Sequence, residues 1–299
     1  MSRIAADGPR PIDAAAAASM VGLCAIWAFG QIAIKLANEG ISPLWQAGLR
    51  SGGATVVMIA WMLARGIDLR PTPGTLGWML LVGVVFTMEF VFLYSGLVLT
   101  TAARGTVLLY TAPFFIAIGS HWLLRDRLTP VRMAGLVLAF VGVALALSDR
   151  GGGPGTTGDW RGDLLCLAAG ASWGLLTVII KATPLRTERA ERALLGQLAV
   201  SAALLLGAST LIGEAGLFAP SARVWAGMAW QVIAVASVSY LGFFVMVQRH
   251  SPAQIAAFTF LTPLFGVAFA TAVLGEPLTP SLVGAAILIA GGIWLVNRR

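Results

Sequence analysis

A single carboxylate stands near the middle of a long apolar run: Glu89, in the string FTMEFVFLYSG from Phe86 to Gly96. Ionisable groups at that depth are rare and invite a functional reading. Glu89 can face a central cavity, where it would attract a substrate amino group or carry a proton. It can equally be a protonated or hydrogen-bonded tie between two helices. No series of Asp, Glu and His accompanies it, so a proton relay has little support. Arg50 lies seven residues beyond Pro43, about 10 Å along a helix at ~1.5 Å per residue. Its side chain is expected to snorkel outward. The alternative is that it reaches the cavity and pairs with a carboxylate, for which its planar fork is suited.

Aromatic rings are the second resource. Trp27 and Trp173 sit in the middle of apolar runs, and Tyr94, Tyr110, Tyr240 and Phe244 lie in three others. Trp and Tyr usually gather at membrane interfaces, a pattern that Trp27 and Trp173 do not follow. Such rings can hold a flat apolar substrate by stacking or edge contact, or they can simply pack helix on helix. Gln31, Ser172, Thr177, Ser237, Ser239, Thr259 and Thr262 are near enough in sequence to supply hydrogen bonds. The candidate binding set is Trp27, Gln31, Glu89, Tyr94, Tyr110, Trp173, Thr177, Ser239, Tyr240, Phe244, Thr259 and Thr262. Covalent chemistry has thin support. His121 and His250 are the only imidazoles, and no HExxH metal-hydrolase string occurs. Cys24 and Cys166 fall in apolar runs and read as small buried hydrophobes, with no disulfide framework or metal site. No GK[ST] loop for ATP is present, and no cofactor is expected.

The elements that must hold these groups are membrane helices. Of the 299 residues, 58% are hydrophobic and 11% are charged, against roughly 25% charge in a soluble domain. Apolar segments predict ten spans, near 14–36, 43–64, 75–98, 103–124, 130–148, 161–181, 190–213, 223–247, 253–274 and 280–297. Ser42-Pro43, Thr129-Pro130 and Thr279-Pro280 each offer a hydroxyl N-cap before a proline at the first helical position. The net charge of +7 comes from bases spread thinly between spans, with no basic face, so a nucleic-acid partner is excluded. Ten spans put both termini on one side, which receives 14 of the 20 basic residues. Positive charge marks the cytoplasm, so both termini are expected inside a bacterial inner membrane, with the first helix retained.

The chain repeats itself. CAIWAFGQIAIK, Cys24 to Lys35, and GASWGLLTVIIK, Gly170 to Lys181, each place a tryptophan eight residues before a lysine, at an offset of 146. Further on, Pro113 matches Pro263, Asp126 matches Glu276, and Leu128-Thr129-Pro130 matches Leu278-Thr279-Pro280, at an offset of 150. The expected organisation is a five-helix repeat over 1–148, a glycine-rich linker over 149–158 outside the cell, and a second repeat over 159–299. Five is odd, so the second copy enters the membrane from the opposite side. The fold class is therefore an all-α integral membrane protein of ten transmembrane helices in two inverted five-helix repeats. In such plans the substrate site lies near the midplane between the halves. Lys35 and Lys181 end their helices at opposite faces. Each can snorkel and favour the negative end of its helix, or gate a mouth. Pro113 and Pro263 free the carbonyls of Leu109 and Thr259 and are expected to kink helices 4 and 9 as a second pair of gating points. The glycines of Gly135–Gly142 and Gly284–Gly292 are expected to pack helices 5 and 10 together.

These features resemble the drug/metabolite transporter superfamily, EamA-type, over nearly the whole chain. The resemblance rests on the tryptophan in the first helix of each half. It rests also on RDRLTP with Gly135 and Gly142, and on GEPLTP with Gly284, Gly291 and Gly292. Asp126, followed by Arg127, stands where the second copy has the family's usual acid, Glu276. Within the superfamily the chain is most similar to bacterial exporters of aromatic amino acids. The resemblance implies a secondary transporter exporting small amphipathic metabolites by alternating access. Alternatives are another drug or metabolite exporter, or a passive channel-like facilitator. The partners implied are a small-molecule substrate and the lipid bilayer, with a single copy of the chain sufficing.

Overall fold

The computed structural model describes residues 13–124, 129–148, 159–249, 258–259 and 261–297. Asp126, the linker 149–158 and the side chain of Phe244 lie outside them. The described residues form ten helical spans, and none of their helices joins a sheet beyond one isolated bridge. In the first half these are α1 (Ala14–Asn38), α2 (Pro43–Ala64), α3 (Leu76–Leu99), a broken span of α4 (Ala102–Leu109) and α5 (Ala112–Leu123), and α6 (Pro130–Ser148). In the second half α7 (Trp160–Ala182) leads through a 3-10 turn to α8 (Ala190–Leu211). A composite eighth span follows, with α9 (Ala222–Ala229), a π-helical stretch Trp230–Ser239 and α10 (Tyr240–Arg249). The last are α11 (Leu261–Leu274) and α12 (Pro280–Asn297). Seven spans are long and apolar enough to cross a bilayer; 130–146, 261–274 and 280–296 are shorter apolar helices.

The second half runs against the first. Thr100, which ends α3, receives Lys35 from the last turn of α1 and contacts Asp163 in the first turn of α7. The end of α1 therefore shares a face with the start of α7, and Lys181 lies at the other face. Likewise the start of α2 meets the end of α8 through an antiparallel bridge, Ile41 with Leu217. The face where α1 ends is called distal below, and the face where it begins proximal. Packing follows the same two-fold plan. α2 lies on α8 and α6 on α12, while α1 packs against the eighth and ninth spans as α7 packs against the third and fourth.

Glycines set the α6–α12 seam. A Cβ on Gly135 would lie 2.9 Å from the Gly292 carbonyl oxygen, and one on Gly292 would lie 2.7 Å from that of Gly135. Without side chains the two backbones approach directly, which is how helices associate where lipid offers no hydrophobic contrast. Gly292→Leu is expected to cost on the order of 1–3 kcal/mol by overpacking, read as a lower melting midpoint in detergent. Gly22→Ala is the control, because nothing lies within 4 Å of the added methyl.

Helix ends correct one sequence expectation. Thr129 and Thr279 cap α6 and α12 through the N–H groups of Arg132 and Leu282, at 3.3 and 3.2 Å. Ser42 makes no side-chain cap. The carboxylate of Glu214 replaces it, accepting from Leu44 and Trp45 at 3.3 and 3.0 Å and held by Ser209 at 2.5 Å. A charged acceptor suits a partly buried helix start better than a hydroxyl. The prolines act as restarts more than bends. Pro113 sits in the first turn of α5, after a break at Tyr110–Thr111. Pro263 sits in the first turn of α11, and the Thr259 carbonyl accepts from Thr262 N–H at 3.1 Å.

Candidate functional site: a cavity between the two halves

A cavity of about 440 Å³ lies between the repeats, with walls from both. Its middle is ringed by aromatics: Trp27, Tyr110, Trp173, Tyr240 and Phe243. Trp27 is fixed by its indole N–H donating to Ser239 Oγ at 2.8 Å and by an edge contact with Phe243 at 5.3 Å. Trp173 meets Tyr110 edge-on at 5.5 Å and 88°. The break between α4 and α5 supplies Tyr110 to this contact. Gly170 makes that possible, since a Cβ there would lie 2.8 Å from the Leu109 carbonyl oxygen.

The distal, blind end is polar. Arg50, Glu89, Tyr94, Gln31 and Gln231 line it. Gln231, from the π-helical stretch, accepts from Tyr94 Oη at 2.6 Å and donates to the carbonyls of Ala33 and Gly227 at 3.2 Å. Arg50 is 3% exposed. Its Nη2 donates to Tyr240 Oη at 2.9 Å, and its guanidinium lies 4.3 Å over the Phe90 ring. The expected snorkelling of Arg50 is thereby corrected. A ring face and a phenol inside the protein offer the cation stabilisation that the interface would otherwise supply. Tyr94 and Tyr240 occupy matching places at the 146-residue offset.

The remaining candidates divide. Gln31, Glu89 and Thr259 line the cavity with the rings. Ser239 is fully buried and positions Trp27 from behind the wall. Thr262 is fully buried outside the wall. Thr177 donates to the Trp173 carbonyl at 2.9 Å and is not part of the wall. Lys181 is exposed at the proximal face. Lys35 is half-buried and donates to the Thr100 carbonyl at 2.6 Å, so it ties α1 to α3 and does not snorkel. Phe90, Glu191, Gln197, Gln231 and Phe243 were missed by sequence reasoning. Among the described residues no group of His, Cys, Asp or Glu could hold a metal ion. One string, Gly170-Ala171-Ser172-Trp173-Gly174, does have the G-x-S-x-G hydrolase spacing. It is no nucleophile elbow, because Ser172 lies inside α7 and donates to the Ala168 carbonyl at 2.9 Å.

The distal face is closed above the blind end. Arg104 holds Asp163 through two contacts, Nε–Oδ1 at 3.0 Å and Nη2–Oδ2, and Thr100 Oγ1 donates to the same carboxylate at 2.6 Å. Glu276 accepts from the N–H groups of Ala102 and Ala103 at 2.7 and 2.9 Å, capping α4. Gly40 passes so close to the 214–219 loop that a Cβ would lie 2.1 Å from the Ala219 oxygen. On this face, then, two acids of the second half cap two helices of the first.

The proximal end of the cavity reaches Ala190 and Glu191, the first turn of α8. At the 146-residue offset these match Leu44 and Trp45, and Asp68 matches Glu214. Asp68 does not cap α8. It accepts from the N–H of Arg70 at 3.0 Å, and α8 has no side-chain cap. The same helix start is thus capped by the opposite half where the cavity is closed and bare where the cavity ends near the surface. The loops on this face are joined through Glu188, which receives Thr72 N–H at 2.8 Å and Thr75 Oγ1 at 3.0 Å. Burial works to raise the Glu188 pKa, but the N–H groups of Thr72 and Arg189 and the hydroxyls of Thr72 and Thr75 outweigh it and hold it down at about 2, from an ordinary 4.5. A depressed carboxylate stabilises the fold above its unfolded pKa and ceases to as pH falls through the folded one. The stability difference between wild type and Glu188→Gln is therefore expected to be constant above about pH 5 and to close toward about pH 2, measured by denaturant titration in detergent.

Two inverted bundles of membrane helices around one cavity define a multi-pass carrier. The profile of the EamA-like transporter family matches residues 15–148 and again 160–298, and the chain belongs to that family. It is 27% identical over 282 residues to the uncharacterized transporter YvbV of Bacillus subtilis, covering 93% of this chain and 90% of that one. It is 30% identical over 169 residues to the aromatic amino acid exporter YddG of Ancylobacter novellus, covering 54% of this chain and 57% of that one. A crystal structure with a TM-score of 0.67 at 21% identity, covering 93% of this chain and 96% of that one, shares the fold.

Proposed function

We propose that this secondary transporter exports small amphipathic metabolites, specifically aromatic or bulky apolar amino acids, across a bacterial inner membrane with both termini in the cytoplasm. One observation carries the reading: a cavity between the inverted halves is lined by aromatic rings from both, by polar side chains toward the distal face, and by the first turn of α8 at the proximal side. The excess of Arg and Lys expected on the proximal side makes that side cytoplasmic, so this conformation faces the cytoplasm. The partial similarity to an aromatic amino acid exporter supports the substrate class. Each half presents its share of the cavity by rocking about the central site, as inverted repeats allow.

The test is reconstitution in liposomes with a panel of labelled amino acids and metabolites, with and without a pH gradient. Saturable flux with counterflow of aromatic amino acids is the expected result. Linear, unsaturable flux would show a channel, and counterflow restricted to other solutes would overturn the substrate class.

A further inference from the structure

We propose that Arg50 and Glu89 read the two ends of a zwitterionic head group at the blind end of the cavity, Arg50 binding a carboxylate and Glu89 an ammonium. The inference rests on the amino acid export proposed above and says how the site selects for it. Arg50 comes from α2 and Glu89 from α3, and both line the same cavity. One nitrogen of Arg50, Nη2, is engaged by Tyr240. The other, Nη1, is buried and has no partner. A buried guanidinium nitrogen without a partner leaves a strong charge-assisted bond unmade.

Glu89 is the complementary case. It is 8% exposed and accepts no hydrogen bond among the described residues. It is coupled electrostatically to Arg50 but makes no ion pair with it. A buried guanidinium and a buried carboxyl group held apart leave both without a partner, and a ligand carrying a carboxylate and an ammonium would supply one to each. Gln31 adds a third group, since its Oε1 is buried without a partner and can accept an ammonium N–H. The arrangement is not a repeated structural brace. At the 146-residue offset Arg50 is replaced by Gly196 and Glu89 by Val235. With the head group at the blind end, the substrate side chain falls among Trp27, Tyr110 and Trp173, toward the proximal end.

The experiment measures counterflow in proteoliposomes for three compounds: L-phenylalanine, phenethylamine, which lacks the carboxylate, and 3-phenylpropionate, which lacks the amine. Wild type is expected to prefer phenylalanine to either by at least about tenfold, because buried polar groups left unpaired penalise the analogue that lacks their partner. Glu89→Gln is expected to abolish most of the preference over 3-phenylpropionate while keeping that over phenethylamine. Arg50→Lys, which loses the fork, should show the reverse pattern. Inhibition of phenylalanine counterflow by the two analogues on wild type alone gives the same ranking without any variant. Equal inhibition by all three compounds, or an equal fractional loss of all three in each variant, would overturn the head-group assignment and leave aromatic transport standing. Wild type that moves none of the three would overturn both readings.

Discussion

Asp163→Asn is expected to reduce transport to below about a tenth of wild type and to open the distal face. The Arg104–Asp163 contact is almost wholly buried, with side-chain exposures of 9% and 1%. Removing one charge of such a pair costs about 3–5 kcal/mol, because the partner is left uncompensated out of water. That cost falls on the conformation described here, in which the distal face is shut. A shift of that size exceeds a factor of 100 in a two-state equilibrium, since each 1.4 kcal/mol is about tenfold. The carrier would then rest in the opposite orientation and fail to return. Cys166 reports the change directly. It is fully buried beneath the pair, its Sγ 2.8 Å from where a Cβ on Gly96 would stand. In a Cys24→Ala background, a membrane-impermeant maleimide added from the distal side should label Cys166 at least about tenfold faster in Asp163→Asn. The double variant Arg104→Met with Asp163→Leu should restore protection, because replacing both partners by apolar groups of similar volume is near neutral. Wild-type transport with Cys166 still protected in Asp163→Asn would show that the pair does not hold the face closed.

The ion pair belongs to the closed face alone. Asp163 matches Ala17 at the 146-residue offset, so no carboxylate occupies the mirror-image position in the first half. The carboxylate caps are different in kind. Glu214 and Asp68 are matched acids, and only Glu214 is engaged. A repeat-swapped conformation would exchange these roles, with Asp68 turning from Arg70 to the bare start of α8. Under the alternating access proposed above, the two orientations would share a cap but not an ion pair, and the resting carrier is then expected to favour the state with the shut distal face.

Much of this frame was legible in the sequence, and the reason is the solvent. A bilayer forces about 20 apolar residues into each span, so span ends could be read to within a few residues wherever they fall among the described residues, which the expected start of the ninth at 253 does not, and the glycines of α6 and α12 announced close packing. What lipid hides is the rotation of each helix. Hydrocarbon is as apolar as the protein interior, so no polar face marks the outside of α3, and Phe90 could not be told from Met88, which is 46% exposed. Arg50 went astray for a related reason. Snorkelling is sound for an isolated helix, but Phe90 and Tyr240 come from distant segments. The π-helical stretch of Trp230–Ser239 left no signal in composition. Glu214 looked like an ordinary loop acid until the start of α2 was seen beside it. Lys35 and Lys181 revealed the duplication by their spacing, although their roles differ: one ties two helices and the other is exposed.

Trp173→Ala is expected to raise the KM for aromatic substrates by about 10- to 70-fold with little change in maximal rate. The ring is half-buried, with its edge against Tyr110 and its remaining surface toward the cavity. A bound substrate ring would cover on the order of 50–100 Å² of it, worth about 1.3–2.5 kcal/mol at ~25 cal/mol per Å². If both orientations of the proposed transport cycle present this wall, the loss is one of uniform binding and appears in KM. Trp173→Phe should keep an aromatic edge and recover roughly half of the lost free energy. Leucine offers no ring for the edge contact, so its KM should change less than that of phenylalanine. A packing role makes the opposite prediction. If Trp173 serves mainly to join α7 to α5, removal of the indole leaves a void between helices, for which about 3–5 kcal/mol is typical. The melting midpoint would then fall, with leucine and phenylalanine transport declining together. Unequal KM changes at an unchanged midpoint are the result that assigns Trp173 to the substrate.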